Sequence, residues 1–202
     1  YCPNEISCPP QQKGKIEHFV SRKAMNIDGL GSETIAMLYD KGLIHDVADL
    51  YTLTIGKLAR MERLGEKSAQ NIVEAVKKSC EVPFERVLFA LGIRYVGETV
   101  AKKLVAAFGS MQALSVAKRE ELISVDEIGE RIADSLIEYF DDMRNMQFVE
   151  RLQSFGVKME GRVARAELSN KLDGLTIVIS GTFEHHSRDE YKAMIEAHGG
   201  KN

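Results

Sequence analysis

Three sets of residues have types and spacing that could do chemistry. Cys2 and Cys8, separated by five residues in YCPNEISCPP, are thiols of the kind that bind zinc. A tetrahedral zinc site needs four ligands, so the pair supplies half of one. Lys171 opens a K-x-D-G run, KLDG. A nucleophilic lysine needs a depressed pKa and a pocket built around it. With 28 residues after Gly174, no such pocket is expected, and the run is read as a chance match. The third set is Gly31, Gly65, Gly97 and Gly129, spaced 34, 32 and 32 residues apart. A glycine placed just before a helix leaves bare backbone amides and the positive end of the helix dipole open to an anion.

The elements that must position these residues follow a repeat. Four segments share one template: IDGLGSETIAMLY (27–39), MERLGEKSAQNIV (61–73), IRYVGETVAKKLV (93–105) and VDEIGERIADSLI (125–137). Four residues before each glycine stands Ile27, Met61, Ile93 or Val125, and one before it Leu30, Leu64, Val96 or Ile128. Four after it come Ile35, Ala69, Ala101 and Ala133, with apolar pairs at seven and eight after. Apolar positions at that spacing lie on one face of a helix that starts just after the glycine. LTIGKLARM and PFERVLFAL supply a preceding helix, and the small alanines suit a close crossing. Glycine between two helices permits positive φ and brings bare backbone to the surface.

Composition sets the frame. With 202 residues, 44% of them hydrophobic and 28% charged, the chain has the make-up of a soluble globular protein with a substantial core. No apolar run approaches the roughly 20 residues of a membrane span, and no signal-peptide pattern opens the chain. Three cysteines are an odd number for a disulfide framework and point to a reducing, cytoplasmic setting. The net charge of −3 conceals an uneven distribution. Residues 54–110 carry ten Lys/Arg against six acids, whereas residues 111–160 carry six against eleven. Local rather than total charge decides whether a phosphate backbone is attracted.

The template resembles the helix-hairpin-helix motif of DNA repair and replication proteins. That resemblance implies a grip on phosphate by hairpin amides, with no reading of bases. The candidate DNA-binding residues are Gly29, Gly31, Arg63, Gly65, Lys67, Ser68, Arg94, Gly97, Lys102, Lys103, Gly129 and Arg131. Glu66, Glu98 and Glu130 directly follow their glycines, where a carboxylate stabilises the helix yet repels phosphate unless aimed away. They are expected to be structural.

The stretch from Cys2 through KIEHFVSRKAMNIDGLG (15–31) closely resembles the zinc-to-hairpin junction of bacterial NAD-dependent DNA ligases. In that family a C-x-x-C pair precedes the C-x5-C pair, so Cys2 and Cys8 would be half of a four-cysteine zinc site whose other ligands lie upstream. With half a site, the first ten residues are expected to be frayed. His18 is better read as a surface or core residue than as a third ligand, and Cys80 as a half-buried apolar side chain. Further on, LTIVISGTF reads as a buried strand, followed by a turn and a helix from about Ser187 ending in HGG. This order resembles the opening of a BRCT domain, in which Ser180 and Thr182 occupy the region of a phosphate-contacting residue.

The expectation is therefore a mainly α chain. A partial zinc-binding module covers 1–14, and a helix-hairpin-helix domain of four tandem repeats covers 15–160, with hairpins near 27–31, 61–65, 93–97 and 125–129. A linker follows over 161–171, then the start of an α/β BRCT domain over 172–202. The resemblance implies the non-catalytic, C-terminal portion of a ligase that seals nicks in duplex DNA in replication and repair. NAD and magnesium would be bound outside these residues, and zinc in the full-length protein. The chain would be inactive alone, a monomer, and a partner of duplex DNA, nicked DNA above all, with no membrane contact. Two alternatives are a helix-hairpin-helix region of an excision-repair nuclease and a protein-interaction scaffold.

Overall fold

The computed structural model describes residues 8–61, 64–161, 171, 172, 174–181, 188–198, 200 and 201. The chain divides into two compact units, Tyr1–Gly161 and Arg162–Asn202.

In the first unit, α1 (Pro9–Val20) and α2 (Ser32–Asp40) form repeat 1. A 3-10 helix (Ala48–Thr52) leads to α3 (Ile55–Leu58) and α4 (Glu66–Ser79), which form repeat 2. Repeat 3 is α5 (Phe84–Ala90) with α6 (Glu98–Phe108). After α7 (Met111–Ser115), α8 (Arg119–Ile123) and α9 (Glu130–Asp141) make repeat 4, and α10 (Met143–Ser154) closes the unit. Each first helix packs on its own second helix.

The template positions are the core. Ile35, Ala69, Ala101 and Ala133 are all fully buried at 0% exposure, and Leu38, Ile72, Leu104 and Leu136 lie beside them at 0–1%. One contiguous apolar cluster runs through all four repeats. The path after α10 returns to the end of α6, where Gly161 N–H donates to the Gly109 carbonyl at 2.8 Å. A Cβ on Gly161 would come within 2.4 Å of Val105 Cγ1, so only glycine fits this crossing.

The N-terminus departs from expectation. Residues 1–7, Cys2 among them, lie outside the described residues, but α1 already begins at Pro9. Proline at a first helical position is pre-set to helical φ, and the Cys8 carbonyl accepts from Gln11 and Gln12 N–H, both at 3.0 Å. Residues 9 and 10 are helical, not frayed.

In the second unit, α11 (Arg188–Ala197) follows an extended segment. Thr176 forms a parallel bridge with Lys201, with Ile177 N–H donating to the Lys201 carbonyl at 2.7 Å. The strand is not buried on both faces as expected. Ile179 is buried at 8% exposure, but Val178 is 84% and Leu175 52% exposed. Val178 and Ile179 alternate as in a half-covered extended segment, whereas Leu175, on the same face as Ile179, is exposed. Lys171 stands exposed in a turn, Ser180 is exposed, and Thr182, Asp173 and most of the 161–171 linker lie outside the described residues.

Candidate nucleic-acid interface

Each second helix of the four repeats starts on one of the spaced glycines. Gly31, Gly65, Gly97 and Gly129 are the N-caps of α2, α4, α6 and α9, and none has a side chain to cap its helix. The Gly carbonyl accepts the first intrahelical bond, from Ile35, Ala69, Ala101 and Ala133 N–H at 2.9–3.1 Å. The amides before those residues form the uncapped first turn. Three other helices are capped by side-chain oxygens, Thr54 on α3, Ser110 on α7 and Asp142 on α10, whereas α1 and α5, at Cys8 and Pro83, are not.

Conformation does not explain the glycines. Their φ values are −77°, −75°, −86° and −84°, extended backbone open to any residue. A Cβ on any of the four would meet nothing within 4 Å. Glycine's freedom to take positive φ is therefore not used at these four positions. The left-handed residue lies two positions earlier, at Gly29 (φ +87°), Tyr95 (φ +66°) and Glu127 (φ +64°). Gly29 is needed there because a Cβ would come within 2.9 Å of Ile72 Cγ1 on α4. What the four N-cap glycines do provide is unobstructed access to the helix amides.

The candidate polar and cationic side chains divide into two groups. Lys67 and Ser68 stand exposed on the first turn of α4, Lys102 on α6 and Arg131 on α9. Arg94 lies over the Tyr95 ring at 4.9 Å. Lys103 is committed within the fold: its Nζ bridges Asp126 at 2.7 Å and Glu127 at 3.0 Å, tying α6 to the hairpin of repeat 4. Arg63 lies outside the described residues.

Two of the first-turn glutamates are held by cations. Glu98 accepts from Lys23 Nζ at 2.8 Å, and this bond, aided by the charges of Lys23, Lys102 and Arg86, outweighs desolvation and lowers its pKa. Glu130 pairs with Arg119 at 3.4 Å. Drawn to these partners, both carboxylates are partly neutralised where a free charge would oppose an anion.

Sequence patterning missed two features. The Arg86 guanidinium donates from Nε to the Ala24 carbonyl at 2.8 Å and from a terminal nitrogen to the Arg22 carbonyl, joining repeat 3 to the end of α1. The partners are main-chain atoms distant in sequence, so no spacing rule reveals them. The other is the left-handed aromatic Tyr95, for which the glycine at the same template position in repeat 1 was a signal. Beside the hairpin of repeat 1 lies an open hollow of about 380 Å³, bordered by Arg22, Asn26, Gly31 and Ser32.

The described residues do not make a zinc site by themselves. Cys8 is a half-buried thiol at the N-cap of α1, and among the described residues no three His, Cys, Asp or Glu side chains cluster as metal ligands. His18 Nε2 is bonded to the Phe89 carbonyl at 2.9 Å, with its ring edge-on to Phe89, so it is a packing residue. Cys80 ends α4, and its Sγ contacts the Phe155 carbonyl at 3.6 Å. Burial pushes that thiol's pKa up.

Comparison with known proteins gives three family matches. Residues 21–78 match a SAM-like helix-hairpin-helix tandem, residues 86–149 a helix-hairpin-helix motif, and residues 167–202 a BRCA1 C-terminus (BRCT) domain. The chain is 60% identical over 203 residues to a DNA ligase of Phocaeicola vulgatus and 62% identical over 205 residues to one of Parabacteroides distasonis. It is 58% identical over 205 residues to a DNA ligase of Bacteroides fragilis. Each comparison covers the whole of this chain and 30% of the relative, so the chain spans about a third of the curated proteins it matches.

Proposed function

From a chain that belongs among the bacterial DNA ligases over its whole length, and whose matches fit their C-terminal portion, we propose that these residues hold duplex DNA. The observation that carries the proposal is the set of four exposed glycine N-caps with open space before uncapped helix amides. The same chain caps other helices with Thr54, Ser110 and Asp142, and a Gly N-cap is weaker than these by a few tenths of a kcal/mol. The gain from bare glycine is access for an anion, and a phosphate seated there meets the amides and the helix dipole.

Such contacts position a duplex without reading its sequence. Lys67, Arg94, Lys102 and Arg131 add the cationic surround, and repeats 2 and 3 carry the basic stretch of the chain. Lys103 serves instead to fix repeat 4 to α6. The whole enzyme, on this reading, uses NAD and magnesium to seal nicks in replication and repair, and its covalent chemistry lies outside these residues. Cys8 with Cys2 would supply two thiolates to a zinc site completed by other cysteines of the full-length protein.

Fluorescence anisotropy of a labelled nicked duplex, titrated with this chain at several salt concentrations, tests the reading. The expected result is a linear fall of log affinity with log salt. The slope divided by about 0.9 gives the number of phosphates neutralised. Binding that ignores salt and tolerates charge reversal at Lys67, Arg94 and Lys102 would instead favour a protein-interaction scaffold.

A further inference from the structure

Tyr95 sits in a left-handed conformation, φ +66°. That backbone is disfavoured for a bulky L-residue because Cβ crowds the neighbouring carbonyl. The strain needs a return somewhere, and the fold does not provide an evident one. The packing of this hairpin is done by Ile93 and Val96, at 4% and 5% exposure, whereas Tyr95 is 49% exposed. The equivalent residues of two other repeats are each accounted for internally. Gly29 has no room for a side chain beneath Ile72, and Glu127 forms an ion pair with Lys103. The Tyr95 ring is faced by the Arg94 guanidinium at 4.9 Å.

We infer that Tyr95 is a DNA-contacting residue, its ring set by the strained hairpin of repeat 3 against the deoxyribose beside a phosphate held on the α6 amides. This rests on the duplex-binding reading above and adds to it a contact of different chemistry. Tyr95 lies two residues before Gly97, the open N-cap of α6, so a phosphate seated there brings its own sugar to the hairpin tip. A duplex backbone presents sugar C–H faces between charged phosphates. A half-exposed aromatic ring complements the former, and Arg94, stacked on it, complements the latter. The cation–π contact also limits the directions the ring can take, so less freedom is lost on binding.

The ring contact is apolar, so it changes affinity without changing the number of counterions released. Four variants of the whole chain separate the possibilities: Tyr95→Gly, Tyr95→Ala, Tyr95→Phe and Arg94→Ala. Each is measured by thermal unfolding and by anisotropy on nicked duplex across a salt series. Tyr95→Gly relieves the left-handed strain, so it is expected to melt no lower than the parent yet, with the ring's apolar burial lost, to bind on the order of tenfold more weakly. Tyr95→Ala weakens binding similarly, with the salt slope unchanged. Tyr95→Phe keeps parental affinity. Arg94→Ala reduces the slope by about 0.9. Parental affinity in Tyr95→Gly would overturn the inference while leaving duplex binding intact. A lower melting temperature in Tyr95→Gly would also overturn it, by placing the ring's role in the fold. No salt-dependent binding by the parent chain would overturn the inference together with the reading it rests on.

Discussion

Gly97 has an extended backbone, φ −86°, and free space where a Cβ would stand, so the fold would accept serine there. A serine N-cap supplies an oxygen to the second or third helical amide. Gly97→Ser is therefore expected to leave stability unchanged or raise it by a few tenths of a kcal/mol, while weakening duplex binding by occupying the same amides. Thermal unfolding and anisotropy on one preparation check both halves of that expectation. A variant that gained stability and kept full affinity would mean that the α6 terminus does not meet phosphate. The four N-cap glycines were legible in the sequence because each is local and repeats. Which residue takes positive φ was not, because Tyr95 and Glu127 are types that spacing rules do not assign to a left-handed turn. The commitment of Lys103 was equally hidden: its partners, Asp126 and Glu127, belong to the next repeat and are brought to it by packing.

At the scale of elements, apolar spacing identified the second helix of every repeat and the face it buries. It could not set the first helices, which run 12, 4, 7 and 5 residues in α1, α3, α5 and α8. Those short helices are held by the partner they cross more than by their own periodicity. The 3-10 helix and α7 fall between template copies and α10 after the last, so they left no repeated signal. α5 packs on α6, where Ala101 is completely buried. Ala101→Leu would force extra methylenes into that crossing, and overpacking of this kind costs about 1–3 kcal/mol. The substitution is expected to lower the denaturant midpoint accordingly and to weaken duplex binding through the displaced start of α6. An unchanged midpoint would show that α5 and α6 can separate freely, contrary to their packing here. In the second unit, the half-covered strand was legible as β-branched, but its exposed face was not. The run LTIVIS has apolar residues on both faces, so composition alone could not say that Val178 lies at 84% exposure.

Across the whole first unit, α10 is joined to the 3-10 helix of the opposite half. Arg151 bridges Asp46 at 2.6 Å and Asp49 at 2.9 Å, Tyr51 stacks on Phe155 at 5.7 Å, and Lys158 N–H donates to the Cys80 carbonyl at 3.0 Å. Together with the Arg86 contacts to the end of α1, these fix repeats 1 and 2 against repeats 3 and 4. Hairpins from both halves are thereby held at set positions, which would reduce the ordering needed for the proposed duplex binding. Burial pushes the Asp49 carboxyl up, but the His45 and Asp46 amides and the Arg151 guanidinium outweigh it and hold its pKa below the ordinary value. A carboxylate with a lowered folded pKa adds stability above its unfolded pKa of about 3.9, and that stability is lost as pH falls through the folded value. Arg151→Ala is expected to destabilise the unit by about 1 kcal/mol near neutral pH, the upper end for a partly exposed ion pair. Melting curves of parent and variant should therefore draw together as pH is lowered from about 6 to below the Asp49 titration. A gap that persisted in acid would assign the effect to the packed aliphatic stem of Arg151, leaving the two halves joined by the Tyr51–Phe155 stack and main-chain bonds.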